Sequence, residues 1–140
     1  MAGNRTFTMI KPEAVAKGYA GKIIDHIIGG GFKIIAMKYL QLTKQQARDF
    51  YAIHKDRPFY TELTDYMSES PIVVIALEKD NAVADFRTLV GSTDPNEANE
   101  GTIRKRFAES KAKNAVHGSD SDENAEIEIK FHFSDKEIFV

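Results

Sequence analysis

Pro71-Ile72-Val73-Val74-Ile75-Ala76-Leu77-Glu78-Lys79-Asp80-Asn81 is a bare apolar run that follows a proline and stops at a charged turn. Such a run predicts a buried strand, and a buried strand needs a sheet around it. Upstream, Lys33 to Leu42 is apolar on both faces, with Ile34, Ala36 and Leu40 against Ile35, Met37 and Tyr39. That pattern predicts a central strand covered on at least one side. Arg5 to Ile10 alternates through Phe7 and Met9 and ends at Lys11-Pro12. It reads as a short strand stopped by a residue that cannot donate to a ladder, with Lys11 at its end.

The intervening segments read as helices. Ile23, Ile24, Ile27 and Ile28 share one helical face, and Gly29-Gly30-Gly31 ends that helix. Thr43-Lys44-Gln45-Gln46 has the T-x-x-Q form of a capping box and opens a helix through Phe50-Tyr51 to about His54. A short helix after Pro58 carries Leu63, Tyr66 and Met67, and Val83, Phe86 and Val90 make another over Ala82 to Val90. Gly91-Ser92-Thr93-Asp94-Pro95 is loop, and Ile103 to Ala108 is one or two helical turns. With a short strand running into His117, the order is βαββαβ. This is the α+β, ferredoxin-like arrangement: a four-stranded antiparallel sheet with helices covering one face. In the tail, Ile127, Ile129, Phe131 and Phe133 recur with period two, the mark of a strand, whereas Ser121-Asp122-Glu123 looks like an acidic helix start.

At 140 residues the chain is expected to form one domain over 1–140, and its 42% hydrophobic and 29% charged content is that of an ordinary soluble globule. With no cysteine there is no disulfide, thiolate zinc site or cysteine nucleophile, so a cytoplasmic address is expected. Neither a signal peptide nor a membrane span is visible. The net charge of −2, with both signs interspersed, gives no overall reason to expect nucleic acid as the main partner.

Chemistry concentrates in Asn114-Ala115-Val116-His117-Gly118-Ser119-Asp120-Ser121, where an apolar dipeptide leads a histidine into a small polar turn. The turn frees the backbone and offers hydroxyl and carboxylate partners to an imidazole, a setting that suits a nucleophile as well as an ordinary surface histidine. Arg87, Thr93 and Arg104 would grip adjacent phosphates if they converged. Taken singly, each arginine reads more readily as a solvated helix charge. Without a G-x-x-x-x-G-K-[ST] loop, any nucleotide must be held by side chains. Phe59, after the Arg57-Pro58 turn, offers a ring to a base or to the core, and Tyr51 offers a hydroxyl. His26, His54 and His132 have no spacing that makes them metal ligands and read as structural or surface residues.

The N-x-x-H-G-S-D-S form of Asn114 to Ser121, together with Arg5-Thr6-Phe7, Ile10-Lys11-Pro12, Lys55 to Phe59 and Gly101-Thr102-Ile103-Arg104, resembles the nucleoside diphosphate kinases over nearly the whole chain. That resemblance implies a ferredoxin-like sheet and a ping-pong transfer of the γ-phosphate from a nucleoside triphosphate to a nucleoside diphosphate. His117 matches the histidine phosphorylated on Nδ1, and Glu128 and Ser119 match the residues that orient it. Lys11, Tyr51, Arg87, Thr93, Arg104 and Asn114 match the nucleotide site, with Lys11 and Asn114 toward the ribose, and Phe59 matches the ring that stacks on the base. Broad base specificity, a Mg2+ ion held mainly by the nucleotide phosphates, and a homo-oligomer (tetramer or hexamer) are implied as well. The resemblance also turns the reading of the tail toward a helix carrying Glu128 to roughly Ile129. The chain departs from the usual pattern at Lys105-Arg106, commonly Gly-Asp, and at Ala112-Lys113, commonly Gly-Arg. It also ends at Val140 without the longer C-terminal segment of eukaryotic members, which suggests a bacterial type.

Overall fold

The computed structural model describes residues 3–140. Its sheet is built from β1 (Arg5–Ile10), β2 (Lys33–Leu40) and β3 (Ile72–Glu78), all antiparallel, in the order β1-β3-β2. Phe7 stands opposite Ala76 and Met37 opposite Ile75, with a bulge between Ile34 and Ala36 on β2. The opening apolar run is therefore the central strand. Lys33 to Leu40, expected to be central, is an edge strand, and half-exposed Met37 (50%) and Tyr39 (68%) lie on it. Strand order depends on how the connections cross the sheet, which a local pattern does not encode.

The expected fourth strand is also corrected. Among the described residues the segment before His117 pairs with β1 only through the bridge Ile10 to Val116, flanked by Lys11 N to Ala115 O (2.8 Å) and His117 N to Met9 O (2.9 Å). The left-handed turn at Ala115, where φ is +74°, breaks the extended backbone immediately before that bridge.

Helices cover both faces rather than one. On β3, Val73, Ile75 and Leu77 pack with Ile23 and Ile27 of α2 (Ala20–Gly29) and with Phe86 and Val90 of α5 (Ala82–Val90). The alternating Ile72, Val74 and Ala76 pack with three other helices, through Ala47 of α3 (Lys44–Phe50), Met67 of α4 (Tyr60–Ser68) and Ile129 of α7 (Asp122–His132). A strand apolar at every position demands this, because period-two alternation sends half of its side chains to each side.

Local signals set the helix ends. Thr43 accepts from Gln46 N (3.0 Å) while the Gln46 side chain reaches back to Thr43 N (2.9 Å), closing the expected capping box. α2 stops at Gly30, and Gly31 takes the left-handed φ of +92° that a side chain would resist. Two further α-helices are short: α1 (Pro12–Ala16), opened by proline and without a counterpart among the helices expected above, and α6 (Ile103–Phe107), capped by the Thr102 hydroxyl. The tail is helix α7. Ser121 caps it by accepting from Asn124 N (3.0 Å), and acidic Asp122 and Glu123 stand in its first turn.

Candidate active site

The end of β1, the segment from Asn114 to Ser119 and the middle of α7 meet at one edge of the sheet. His117 is held there by its backbone. Its N–H donates to Met9 O, and its carbonyl accepts from the Thr8 hydroxyl (2.6 Å). One α7 side chain holds the ring: His117 Nε2 lies 2.9 Å from Glu128 Oε1, with both side chains under a fifth exposed. A carboxylate only accepts, so Nε2 carries the proton and Nδ1 keeps a free lone pair. Glu128 is fixed in turn by the Ser119 hydroxyl, which donates to the same oxygen at 2.6 Å, while Ser119 Oγ accepts from Phe7 N (3.3 Å). Edges of Phe7, Phe50 and Tyr51 enclose the imidazole, with ring centres 6.0, 5.6 and 6.4 Å away.

Beside this group lies a hollow of about 240 Å³ lined by Arg87, Val90, Gly91, Ser92, Thr93, Arg104 and Gly118. The lining contains two guanidiniums and no carboxylate, an arrangement that attracts an anion. Arg104 is tied to three carbonyls, those of Val116 (2.9 Å), Gly91 (3.2 Å) and Asn114 (3.3 Å). Burial and then the neighbouring charge of Arg87 lower it to about 10. Arg87 reaches Ser119 O at 3.4 Å. Arg104 is thus joined to the histidine segment, whereas Arg87 stays largely exposed, as a helix charge would, with only that long contact to the segment.

Lys11, 7% exposed at the end of β1, donates to Asn114 Oδ1 at 2.7 Å. Burial, and then Arg104, bring its ammonium down to about 8. The Tyr51 hydroxyl is buried with no hydrogen-bond partner, and burial, then the charge of Glu128, push it up. From Tyr51 a file of rings leads outward through His54 (6.5 Å) to Phe59 (5.5 Å), whose ring is 48% exposed rather than part of the core.

Among the other histidines, His26 accepts from Arg106 at 2.6 Å near the surface, and burial, then that charge, hold it low. His132 is buried, stacked on Phe7 with ring centres 5.2 Å apart. Sequence reasoning passed over Thr8, Glu13 and Phe50. Alternation through Phe7 and Met9 did mark the strand on which Thr8 lies, but nothing local marked its hydroxyl.

A family model described as nucleoside diphosphate kinase matches residues 4–138. A nucleoside diphosphate kinase of Flavobacterium psychrophilum is 60% identical over 139 residues, 99% of this chain and 100% of that protein. One from Chlorobium chlorochromatii is 55% identical over 96% of each. Among solved structures, the Aquifex aeolicus nucleoside diphosphate kinase superposes with a TM-score of 0.95 at 43% identity, covering 96% of this chain and 98% of the other. The Halobacterium salinarum enzyme, determined in complex with CDP, gives 0.93 at 32% identity over 99% and 93%. An antiparallel α+β sheet with such relatives defines an enzyme that moves phosphoryl groups between nucleotides. Within that class, the chain belongs to the nucleoside diphosphate kinase family.

Proposed function

We propose that the γ-phosphoryl group travels through His117. Nδ1 attacks the γ-phosphorus, an N–P bond forms, and the bond to the bridging oxygen breaks, so that the nucleoside diphosphate leaves with that electron pair. The reverse step hands the group to a second nucleoside diphosphate. The Nε2–H bond to Glu128 carries this reading, because it fixes the tautomer that leaves Nδ1 nucleophilic and stabilises the positive charge the ring gains. Ser119 orients that carboxylate.

Arg87, Arg104 and Thr93 would hold the β- and γ-phosphates, where transition-state charge spreads over equatorial oxygens. Their shared hollow supports this assignment. Lys11 and Asn114, already paired, would meet the ribose, and the unpartnered Tyr51 hydroxyl is available to the transferred group. The half-exposed Phe59 ring would stack on the base, and since every base has a π-face, many nucleotides should be accepted. The lining supplies cations rather than ligands, so Mg2+ would arrive on the phosphates and offset their charge.

Both apolar clusters share one sheet, which supports a single nucleoside diphosphate kinase domain. The apolar residues on edge strand β2 support a homo-oligomer. Among the described residues no helix is long and apolar enough to cross a membrane, and a cytoplasmic address remains our proposal.

Incubation with γ-labelled ATP should leave an acid-labile, alkali-stable label on the protein, and His117→Ala should carry none. Equal labelling of the variant would refute the nucleophile.

A further inference from the structure

The turn that delivers His117 is strained. Ala115 is fully buried with φ of +74°, a left-handed value that an alanine side chain disfavours. Val116 N donates to Asn114 O at 2.9 Å, which closes a three-residue turn around it. Such a conformation persists only where its surroundings hold it from several sides. Lys11 N bonds Ala115 O at 2.8 Å, and Arg104 bonds the carbonyls of Asn114 and Val116. The remaining backbone donor, Ala115 N–H, goes to one carboxylate oxygen, Glu13 Oε1 at 3.1 Å. Glu13 Oε2 accepts from Ala14 N at 2.5 Å, so its two oxygens join the first turn of α1 to the strained turn. These residues lie 102 positions apart in the chain.

We propose that Glu13 is a positioning residue for phosphoryl transfer, its carboxylate holding the Asn114–Val116 turn shut so that His117 and Asn114 keep their places. This rests on the reading of His117 as the nucleophile. Without the carboxylate, a buried N–H loses its acceptor and the turn is free to relax toward negative φ. Relaxation there moves the residue next but one, which is His117, and small misplacements of a nucleophile are costly. Glu13 also carries negative charge toward buried Lys11, partly offsetting the burial that lowers its ammonium.

The test is single-turnover phosphorylation by ATP, with melting temperature and KM recorded on the same protein. Glu13→Ala should slow phosphorylation at saturating ATP about tenfold or more, a loss larger than the rise in KM that any shift of Asn114 or Lys11 brings. Glu13→Gln, which still offers one oxygen, should lose less. Adding Ala115→Gly to Glu13→Ala should restore a large part of the lost rate, since glycine takes φ of +74° without strain. A purely structural role would lower the melting temperature and leave the rate of the folded protein unmoved by Ala115→Gly. Phosphorylation by Glu13→Ala at the wild-type rate, or no recovery in the double variant, overturns the proposal. If Glu13→Ala is not recovered folded, the same comparison is made with Glu13→Gln, and a wild-type rate there overturns it. His117→Ala run alongside separates the two claims: label persisting in that variant defeats the nucleophile, whereas an unchanged rate in the Glu13 variants leaves it standing.

Discussion

His132 should make the folded protein sensitive to acid. Its ring is 8% exposed, lies parallel to Phe7 at 5.2 Å and has Phe50 and Phe131 at 5.3 and 4.9 Å, while its Nε2 has no hydrogen-bond partner. Burial, then the charge of Lys38 and the neighbouring His117, lower it from 6.5 to about 4. The sign follows directly. Between these values the unfolded chain takes up a proton that the folded protein refuses, so stability falls as pH drops. From about pH 7 to about pH 5 this single group should remove roughly 2 kcal/mol, given about 1.4 kcal/mol for each pH unit crossed below the unfolded value. Phe in its place keeps the aromatic packing and cannot titrate. Urea unfolding of wild type and His132→Phe at both pH values isolates the term as a double difference, because every other titrating group cancels. The expected result is a pH-dependent loss about 2 kcal/mol smaller in the variant. Parallel losses, agreeing within about 0.5 kcal/mol, would mean that His132 is not held neutral by its surroundings and would refute the reasoning.

Two further outcomes follow from burial. If Lys11 contacts the nucleotide as a cation, acceptor affinity should weaken as pH rises through about 8, where the ammonium loses its proton. In Lys11→Met that limb should vanish, read by titration calorimetry with a nucleoside diphosphate. Phe86 is fully buried and meets Phe32 edge to face at 5.4 Å, so Phe86→Ala should cost about 3–5 kcal/mol in urea unfolding.

How far the sequence speaks depends on the range of the forces involved. Caps and breaks are local, and Thr43, the triple glycine and the proline-bounded run at 72–77 were all legible. The tail shows where a local pattern misleads. Ile127, Ile129, Phe131 and Phe133 alternate like a strand, yet Ile129 and Phe133 are buried at 1% and 4% while Ile127 and Phe131 are 59% and 40% exposed. Ile127 and Phe131 lie four residues apart on α7, as do Ile129 and Phe133 at its C-cap, so the run forms two stripes along the helix, one facing the core and the other open. Only the Ser121 cap and the acidic first turn, Asp122 and Glu123, marked the helix locally. The same limit governs the site. The motif carrying His117 and Ser119 could be read from adjacent residues, whereas the convergence of Arg87, Arg104 and Lys11 on it is produced by the sheet and could not be. Glu13 is the extreme case, since its significance lies in a backbone strain at Ala115 that no residue type announces. An alanine at left-handed φ looks in sequence like any other alanine, and the carboxylate that holds it looks like an ordinary acidic residue in a first helical turn.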